Sequence, residues 1–596
     1  MYSNFTVKNA WCWGLLTYSL ALGMTASFAH AAADMPSADD PRVKEHVARK
    51  ASWIEEENTL RQDYEFRQSL SPTAKQAVAI VDAIRQYEID NYWRQAGSVG
   101  REDDERFAGM MFPKARPFIV TTQLWKIIQR MPKGSLLHTH WNAMLPYDTV
   151  FAVLDKTEGM VISASQSLHL DLYRENATLR IAHVNGSSCN NNNQSASSPS
   201  IHSANYVPGT QIPLSRAARE WPGGEKAFYA YLKSKVTLST DAALRHDLGV
   251  DDVWRRFSRF FITAGTMLLY EPVFRQFVQH LLEGLADDGI RWVELRSDVS
   301  LADVVPLGES QPSPDPDFPW RVLSEEIESF KSSAKGKDFW GVRVIWADRR
   351  RNDPAAVVAG MESLLARKQA FPELFSGFDL VGQEDLGKPL SMWISELLWF
   401  REQTTKLNLT VPFFLHAGET VGTGNSTDLN IFDAMTLPDN RRVGHGFSMY
   451  KHPELIRHAR DNDILVEVCP ISNEVLRLAT DVLHHPIPAL IAQGIPTSIN
   501  NDDPAIMGQD APGLSFDFYQ TIQAFDSLGL GGLGALAQNS VRWSNFEDQD
   551  PEAWRRDIRL GINGTGIKAK RLRQWNADWE AFCAWIVGEY IGEYPV

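Results

Sequence analysis

The sequence predicts an α/β protein: a (β/α)8 (TIM) barrel with an N-terminal helical arm and a subdomain inserted after its first strand. Eight short apolar runs recur along the chain with helix-like sequence between them, the alternation expected of a parallel sheet covered by helices. Four of those runs end in histidine or aspartate, and in parallel α/β architectures the C-terminal ends of strands are where sites are built. The length of 596 residues, 44% of them hydrophobic, accommodates such a barrel together with additions.

In chain order, residues 1–31 read as a secretory signal. Lys8 supplies the positive end, residues 11–22 an apolar core, and Ala29-His30-Ala31 a small-residue cleavage pattern. The core is shorter than the roughly 20 residues needed to span a bilayer. No other segment reads as transmembrane, so a secreted product with no membrane partner is expected. Sequons at Asn176, Asn185, Asn193, Asn408, Asn425 and Asn563 agree with that compartment.

Residues 32–115 are expected to form a helical arm outside the catalytic core. The stretch 41–93 is rich in Glu, Arg, Gln and Ala, and Ser71-Pro72 opens a helix carrying Val78, Val81, Ile84 and Tyr87. Composition leaves open whether the arm covers its own chain or contacts a second subunit. The barrel is assigned to residues 116–596. Its first strand, Ser135-Leu136-Leu137, runs into His138-Thr139-His140, and period-two alternation puts both imidazoles on one face.

An insertion of about residues 148–245 follows, where periodicity weakens and an Asn/Ser cluster at 185–200 marks a loop. A structureless segment of that length is uncommon in a compact domain, which favours a subdomain with a glycosylated tip over a disordered insertion. Trp254, Phe257 and Phe261, then Val273, Phe277, Leu281 and Leu285, resume helical spacing. The remaining strands are read at 292–296, 342–346, 378–381, 411–415, 442–444, from 464, and 497–501. Leu572, Trp575, Trp579, Phe582 and Ile586 predict a C-terminal amphipathic helix packed on the barrel.

A formal charge of -15 with no long basic run excludes a nucleic-acid surface, because phosphate neutralisation needs clustered Lys and Arg. Of four cysteines Cys12 leaves with the signal, so Cys189, Cys469 and Cys583 permit at most one internal disulfide and no CxxC metal site. Metal chemistry must therefore rest on histidine and carboxylate. The run 411–415 ends in His416, with Glu419 three positions on. Arg442-Val443-Gly444 leads to His445, and the 497–501 run leads to Asp502-Asp503, locked by Pro504. Three histidines and one aspartate suit zinc or another divalent first-row ion, with a position left for water. Taken singly, His416 could cap a strand, and Glu419, Asp502 and Asp503 could cap helices; their recurrence at strand ends is what points to a site.

These motifs resemble the adenosine deaminase family of metal-dependent amidohydrolases, and within it the secreted branch of adenosine deaminase-related growth factors. The resemblance rests on Met131-Pro132-Lys133-Gly134 before the paired histidines, Gly377-Phe378-Asp379-Leu380-Val381-Gly382, and His416-Ala417-Gly418-Glu419-Thr420. Val443-Gly444-His445-Gly446-Phe447, Glu467-Val468-Cys469-Pro470-Ile471-Ser472-Asn473 and Asp502-Asp503-Pro504 follow in the family's order, between residues 131 and 543. The resemblance implies that His138, His140, His416 and Asp502 hold one zinc ion (Zn2+) per subunit, which lowers the pKa of a bound water to about 7. It further implies that Glu419 protonates a purine ring nitrogen while His445 orients the water and shares in its deprotonation. Asp503 and the backbone of Gly382 are the expected purine contacts, and Trp254 a substrate-side wall.

The implied reaction is hydrolysis of adenosine, or a related adenine nucleoside, to inosine and ammonia, by a homodimer joined through the arm. The sugar side departs from the pattern. Trp141 and Asn142 stand where the family has an acidic residue, and Asp348 stands where the secreted branch has a histidine. Those changes keep open an aminohydrolase acting on adenine or another modified purine, and the growth-factor resemblance keeps open an extracellular signalling role. Cys189 lacks the partner for the insertion's usual disulfide.

Overall fold

A computed structural model describes residues 35–93, 106–185, 198–297, 301, 303–511 and 513–594. The expected signal segment and the stretch of the inserted loop that holds Cys189 lie outside the described residues. The described residues divide into two compact units, one ending at Leu60 and one beginning at Arg61. In the first, a 20-residue helix, Pro41–Leu60, has no buried residue, and Val47, Trp53 and Ile54 are exposed.

The second unit contains more of the expected arm than sequence suggested. Helix Pro72–Glu88 is capped by Ser71, whose hydroxyl accepts from Ala74 N at 3.0 Å, with Pro72 in its first turn. Its stripe of Ala77, Ile80, Val81 and Ile84 recurs at helical spacing and is fully buried against helices Gly529–Arg542 and Ile567–Tyr590. Helix Phe112–Ile119 also packs inward, with the Phe112 ring 5.2 Å from that of Phe516. An arm lying wholly outside the core is therefore corrected: the apolar stripe makes residues 72–88 part of the catalytic body.

Eleven strands are described: β1 (Gly134–His140), β2 (Met160–Ala164), β3 (Leu179–His183), β4 (Ile212–Pro213), β5 (Ile290–Ser297), β6 (Gly341–Arg349), β7 (Phe375–Val381), β8 (His416–Ala417), β9 (Arg442–His445), β10 (Leu465–Val468) and β11 (Thr497–Ile499). Two parallel four-stranded sheets, ordered β1-β5-β6-β7 and β11-β10-β9-β8, meet at two seams. At one seam Thr139 bridges Asp502, with His140 N donating to Asp502 O at 3.0 Å; at the other, Phe378 bridges Phe413. The eight strands thus close into a parallel barrel. The run at 411–415 is joined to both neighbours by isolated bridges at Phe413, with Phe414 N donating to Phe378 O at 3.0 Å, and the two-residue β8 follows it.

After β1 the chain builds a three-stranded antiparallel sheet, β3-β2-β4, backed by helices Leu214–Glu220 and Gly224–Lys233 around buried Ile162, Leu179, Ile181, Ile212 and Phe228. Helices Gly249–Met267 and Glu271–Asp287 then return to β5. At the far end, Leu572, Trp575, Trp579, Phe582 and Ile586 are buried, and Trp575 Nε1 donates to Pro132 O at 3.1 Å just below β1. Among the described residues no helix is long and apolar enough to cross a membrane, and Cys469 and Cys583 are buried and free.

Candidate metal centre and substrate cavity

β1 delivers His138 and His140, β8 delivers His416, and the turn after β11 delivers Asp502. One donor atom from each of the four lies within 4.8 Å of the others. His138 Nε2 and His140 Nε2 stand 3.3 and 3.1 Å from Asp502 Oδ1. A tetrahedral ion with bonds of about 2.0–2.1 Å sets its ligands roughly 3.3 to 3.4 Å apart, so these spacings match a shared cation. His138 Nε2 and Asp502 Oδ1 are buried without a hydrogen-bond partner among the described residues. A bound ion would satisfy both, and three imidazoles with a carboxylate are the donor set of a borderline divalent metal.

The imidazoles are aimed from behind. His138 Nδ1 lies 2.9 Å from Glu467, and His416 Nδ1 lies 2.6 Å from Asp379, which also accepts from His416 N at 2.8 Å. Carboxylates at Nδ1 fix each ring and leave Nε2 facing inward. Arg296 ties the two carboxylates together, donating to Asp379 at 2.7 Å and to Glu467 at 2.8 Å, while Arg442 joins Glu467 to Glu294. Burial opposes ionisation of Asp379 and Glu467, but His416 and Arg296 for the first, and Arg296 and Arg442 for the second, hold both well below the usual carboxylate range. Burial presses His416 down to about 3 against the pull of Asp379, leaving its imidazole neutral and free to ligate.

Glu419 and His445 stand beside the cluster. Both carboxylate oxygens of Glu419 are buried without a hydrogen-bond partner among the described residues. Burial, reinforced by Asp502 and Glu384, lifts its carboxyl well above the ordinary range. His445 Nε2 lies 3.7 Å from Glu419 Oε1 and 4.0 Å from Asp502 Oδ2. His445 and Asp502 adopt φ of 61° and 58°, a left-handed backbone that side-chain-bearing residues rarely take and that clusters at functional sites. Ser472 Oγ donates to the second oxygen of Asp502 at 2.7 Å. Burial and the neighbouring Asp502 raise the Asp503 carboxyl as well.

These groups form the floor of a cavity of about 320 Å³, a size suited to a small organic ligand. Trp254, Phe257, Phe261 and Leu268 make an apolar wall, and Trp141, Asn142, Gly382 and Asp503 also line the space. The Trp141 ring is anchored against Phe274 and Phe277, at 5.3 and 5.1 Å. At Gly382 (φ 100°) an added Cβ would meet nothing within 4 Å, so the backbone there faces open cavity.

Nine of the ten sequence-predicted site residues meet here; Asp348 does not. On β6 the residues facing the cavity are Ala347 and Arg349. Asp348, one position out of phase, accepts from Trp346 Nε1 at 3.2 Å and abuts Gly360 on the helix outside the barrel, where a Cβ would come within 2.0 Å of its carboxylate. Asp348 is therefore corrected from substrate contact to outer-face residue, because alternate residues of a strand face opposite sides. Sequence reasoning gave no role to Glu294, Arg296, Asp379, Arg442 or Glu467. Their signal was a charge inside an otherwise apolar strand, as in Val466-Glu467-Val468.

A closed parallel barrel that holds such a donor cluster beside a buried acid places the chain among the metal-dependent aminohydrolases. The family model described as adenosine deaminase matches residues 238–559. Adenosine deaminase 2-A of Danio rerio is 33% identical over 449 residues, covering 74% of this chain and 81% of that protein. Adenosine deaminase 2 of Homo sapiens is 30% identical over 462 residues, covering 75% and 81%. An adenosine deaminase of Lutzomyia longipalpis is 30% identical over 477 residues, covering 78% and 80%. The chain belongs to the adenosine deaminase family, in its adenosine deaminase 2 branch.

Proposed function

We propose that the protein is a secreted, zinc-dependent deaminase that hydrolyses adenosine or a closely related adenine nucleoside to inosine and ammonia. The observation that carries the reading is Glu419, buried with both carboxylate oxygens unpartnered among the described residues, beside the four-donor cluster on the lining of the cavity. The names of the relatives support the substrate, and the signal-like first 31 residues support secretion. His138, His140, His416 and Asp502 would hold one ion per subunit. Bound there, zinc lowers the pKa of water so that hydroxide is available near neutral pH.

The chain's own groups complete the chemistry. Glu419 enters with its proton, and delivers it to the ring nitrogen next to the amino-bearing carbon as an oxygen from water adds to that carbon. Glu419, now a carboxylate, takes up the proton that the water loses. The hydroxyl proton of the adduct then passes to the amino nitrogen as the carbon–nitrogen bond breaks, so ammonia leaves, the keto product remains and Glu419 is protonated again. Asp503, whose carboxyl is raised by burial and by Asp502, shares a hydrogen bond with the imidazole nitrogen of the purine. The open backbone at Gly382 receives the ring edge, and Trp254 with its aromatic neighbours excludes water from one side. For the assembly we propose a homodimer through helix Pro41–Leu60, whose exposed Val47, Trp53 and Ile54 suit a subunit contact; sedimentation of protein lacking residues 35–60 should show a monomer.

The deciding measurement is ammonia release from a panel of adenosine, adenine and modified adenine nucleosides, with and without chelator. Adenosine turnover that chelator abolishes and zinc restores is expected. A second reading, free adenine or another amino-substituted purine as substrate, is favoured by Trp141, Asn142 and Ala347 on the cavity side where sugar contacts were expected. Fast turnover of adenine with none of adenosine would decide for it.

A further inference from the structure

A buried polar chain runs from the backbone outside the cavity to His445. Ile487 N donates to His485 Nδ1 at 3.2 Å, His485 Nε2 lies 3.0 Å from Asn473 Oδ1, and Asn473 Nδ2 lies 3.1 Å from His445 Nδ1. All three side chains are buried. Burial holds His485 down at about 3, so its imidazole is neutral and carries one N–H.

The direction of every bond then follows from one group that cannot reverse. A backbone N–H only donates, so His485 Nδ1 is an acceptor and its proton is on Nε2. That N–H needs an acceptor, which sets the carbonyl of the Asn473 amide toward His485 and its NH2 toward His445. The NH2 only donates, so His445 Nδ1 carries no proton.

We propose that His485 and Asn473 are positioning residues that fix the tautomer of His445, so that it presents an Nε2–H donor to the cavity. In reaction terms, which rest on the deaminase reading, His445 orients the incoming oxygen by donating to it and does not remove its proton. The part in deprotonation implied for His445 by resemblance falls instead to Glu419, 3.7 Å away, once its carboxyl has given its own proton to the ring.

Histidine 15N–1H long-range correlation spectra read the tautomer directly, in protein with and without zinc and with no substrate. Both His445 and His485 are expected as Nε2–H. Asn473→Asp places acceptors toward both rings and should switch His445 to Nδ1–H, retain bound zinc, and lower kcat at least roughly 100-fold with little change in KM. Should that variant fail to fold, the unmodified protein and a pair at His485 still decide. His485→Gln keeps a donor for the Asn473 carbonyl and should preserve the tautomer and most activity, whereas His485→Leu removes it and should lose both. A wild-type His445 in the Nδ1–H form, or His485→Leu and His485→Gln alike with His445 unchanged, would overturn the relay. An Nε2–H signal in a protein that deaminates no purine would instead reject the deaminase reading and leave the relay standing.

Discussion

In the half-barrel of β1, β5, β6 and β7 the strands run for 7, 8, 9 and 7 residues, whereas β8, β9, β10 and β11 hold regular ladder for only 2, 4, 4 and 3. The long half supplies two of the four metal donors and, from deep in its strands, Glu294, Arg296 and Asp379. The short half supplies the other two donors and all three groups assigned to the purine chemistry, Glu419, His445 and Asp503. His445 and Asp502 are left-handed, and so are Gly418 and Gly446 beside them. His445 is the last paired residue of β9, opposite Ala417, and Asp502 sits at the isolated bridge to Thr139, so the left-handed backbone comes where each ladder ends. The short strands keep a continuous parallel register with one another and end at the residues whose side chains enter the site, while the longer strands opposite carry the buried charges that hold those side chains.

Four changes would break or sharpen this contrast. Glu419→Gln, in the short half, should reduce kcat by about 10²–10⁴-fold while bound metal, measured by elemental analysis, stays at one per chain. Chelation should separate the halves energetically, since each contributes two donors. An ion present at 1,000 times its dissociation constant stabilises by about 4 kcal/mol, so Tm should fall and amides at 138–140 and 500–503 should exchange faster. Asp379→Asn, a long-half residue acting on a short-half histidine, should weaken metal affinity by about 10–100-fold in competition with a chromogenic chelator. Smallest is Asp348→Asn, which should leave kcat and KM within about twofold, because its buried side chain packs on the outer face of the strand, away from the cavity; a large rise in KM would return Asp348 to the cavity.

All eight barrel strands were legible as short apolar runs, and the four that lead to His140, His416, His445 and Asp502 also marked their strand ends. The side a residue faces was harder. Asp348 lies one position from Ala347, and a one-residue error in strand phase moves a side chain from cavity to outer face. Arg296, Asp379 and Glu467 were visible as charges within apolar strands, but their meeting depends on which strands are opposite across the barrel, and spacing along the chain does not encode that. The arm failed for a related reason. The sequence stripe of Val78, Val81, Ile84 and Tyr87 is rotated from the buried one of Ala77, Ile80, Val81 and Ile84, with Tyr87 exposed, and only the helices at 529–542 and 567–590 reveal what the helix covers.

The seam at Thr139 and Asp502 joins positions 363 residues apart. During synthesis His138 and His140 emerge early and wait for most of the chain before Asp502 can reach them, and His416 arrives in between. An incomplete polypeptide therefore holds only fragments of the donor set, each a weak chelator by itself. Loading with the correct ion becomes a late event in the protein's maturation, coupled to the moment at which the last strand closes on the first.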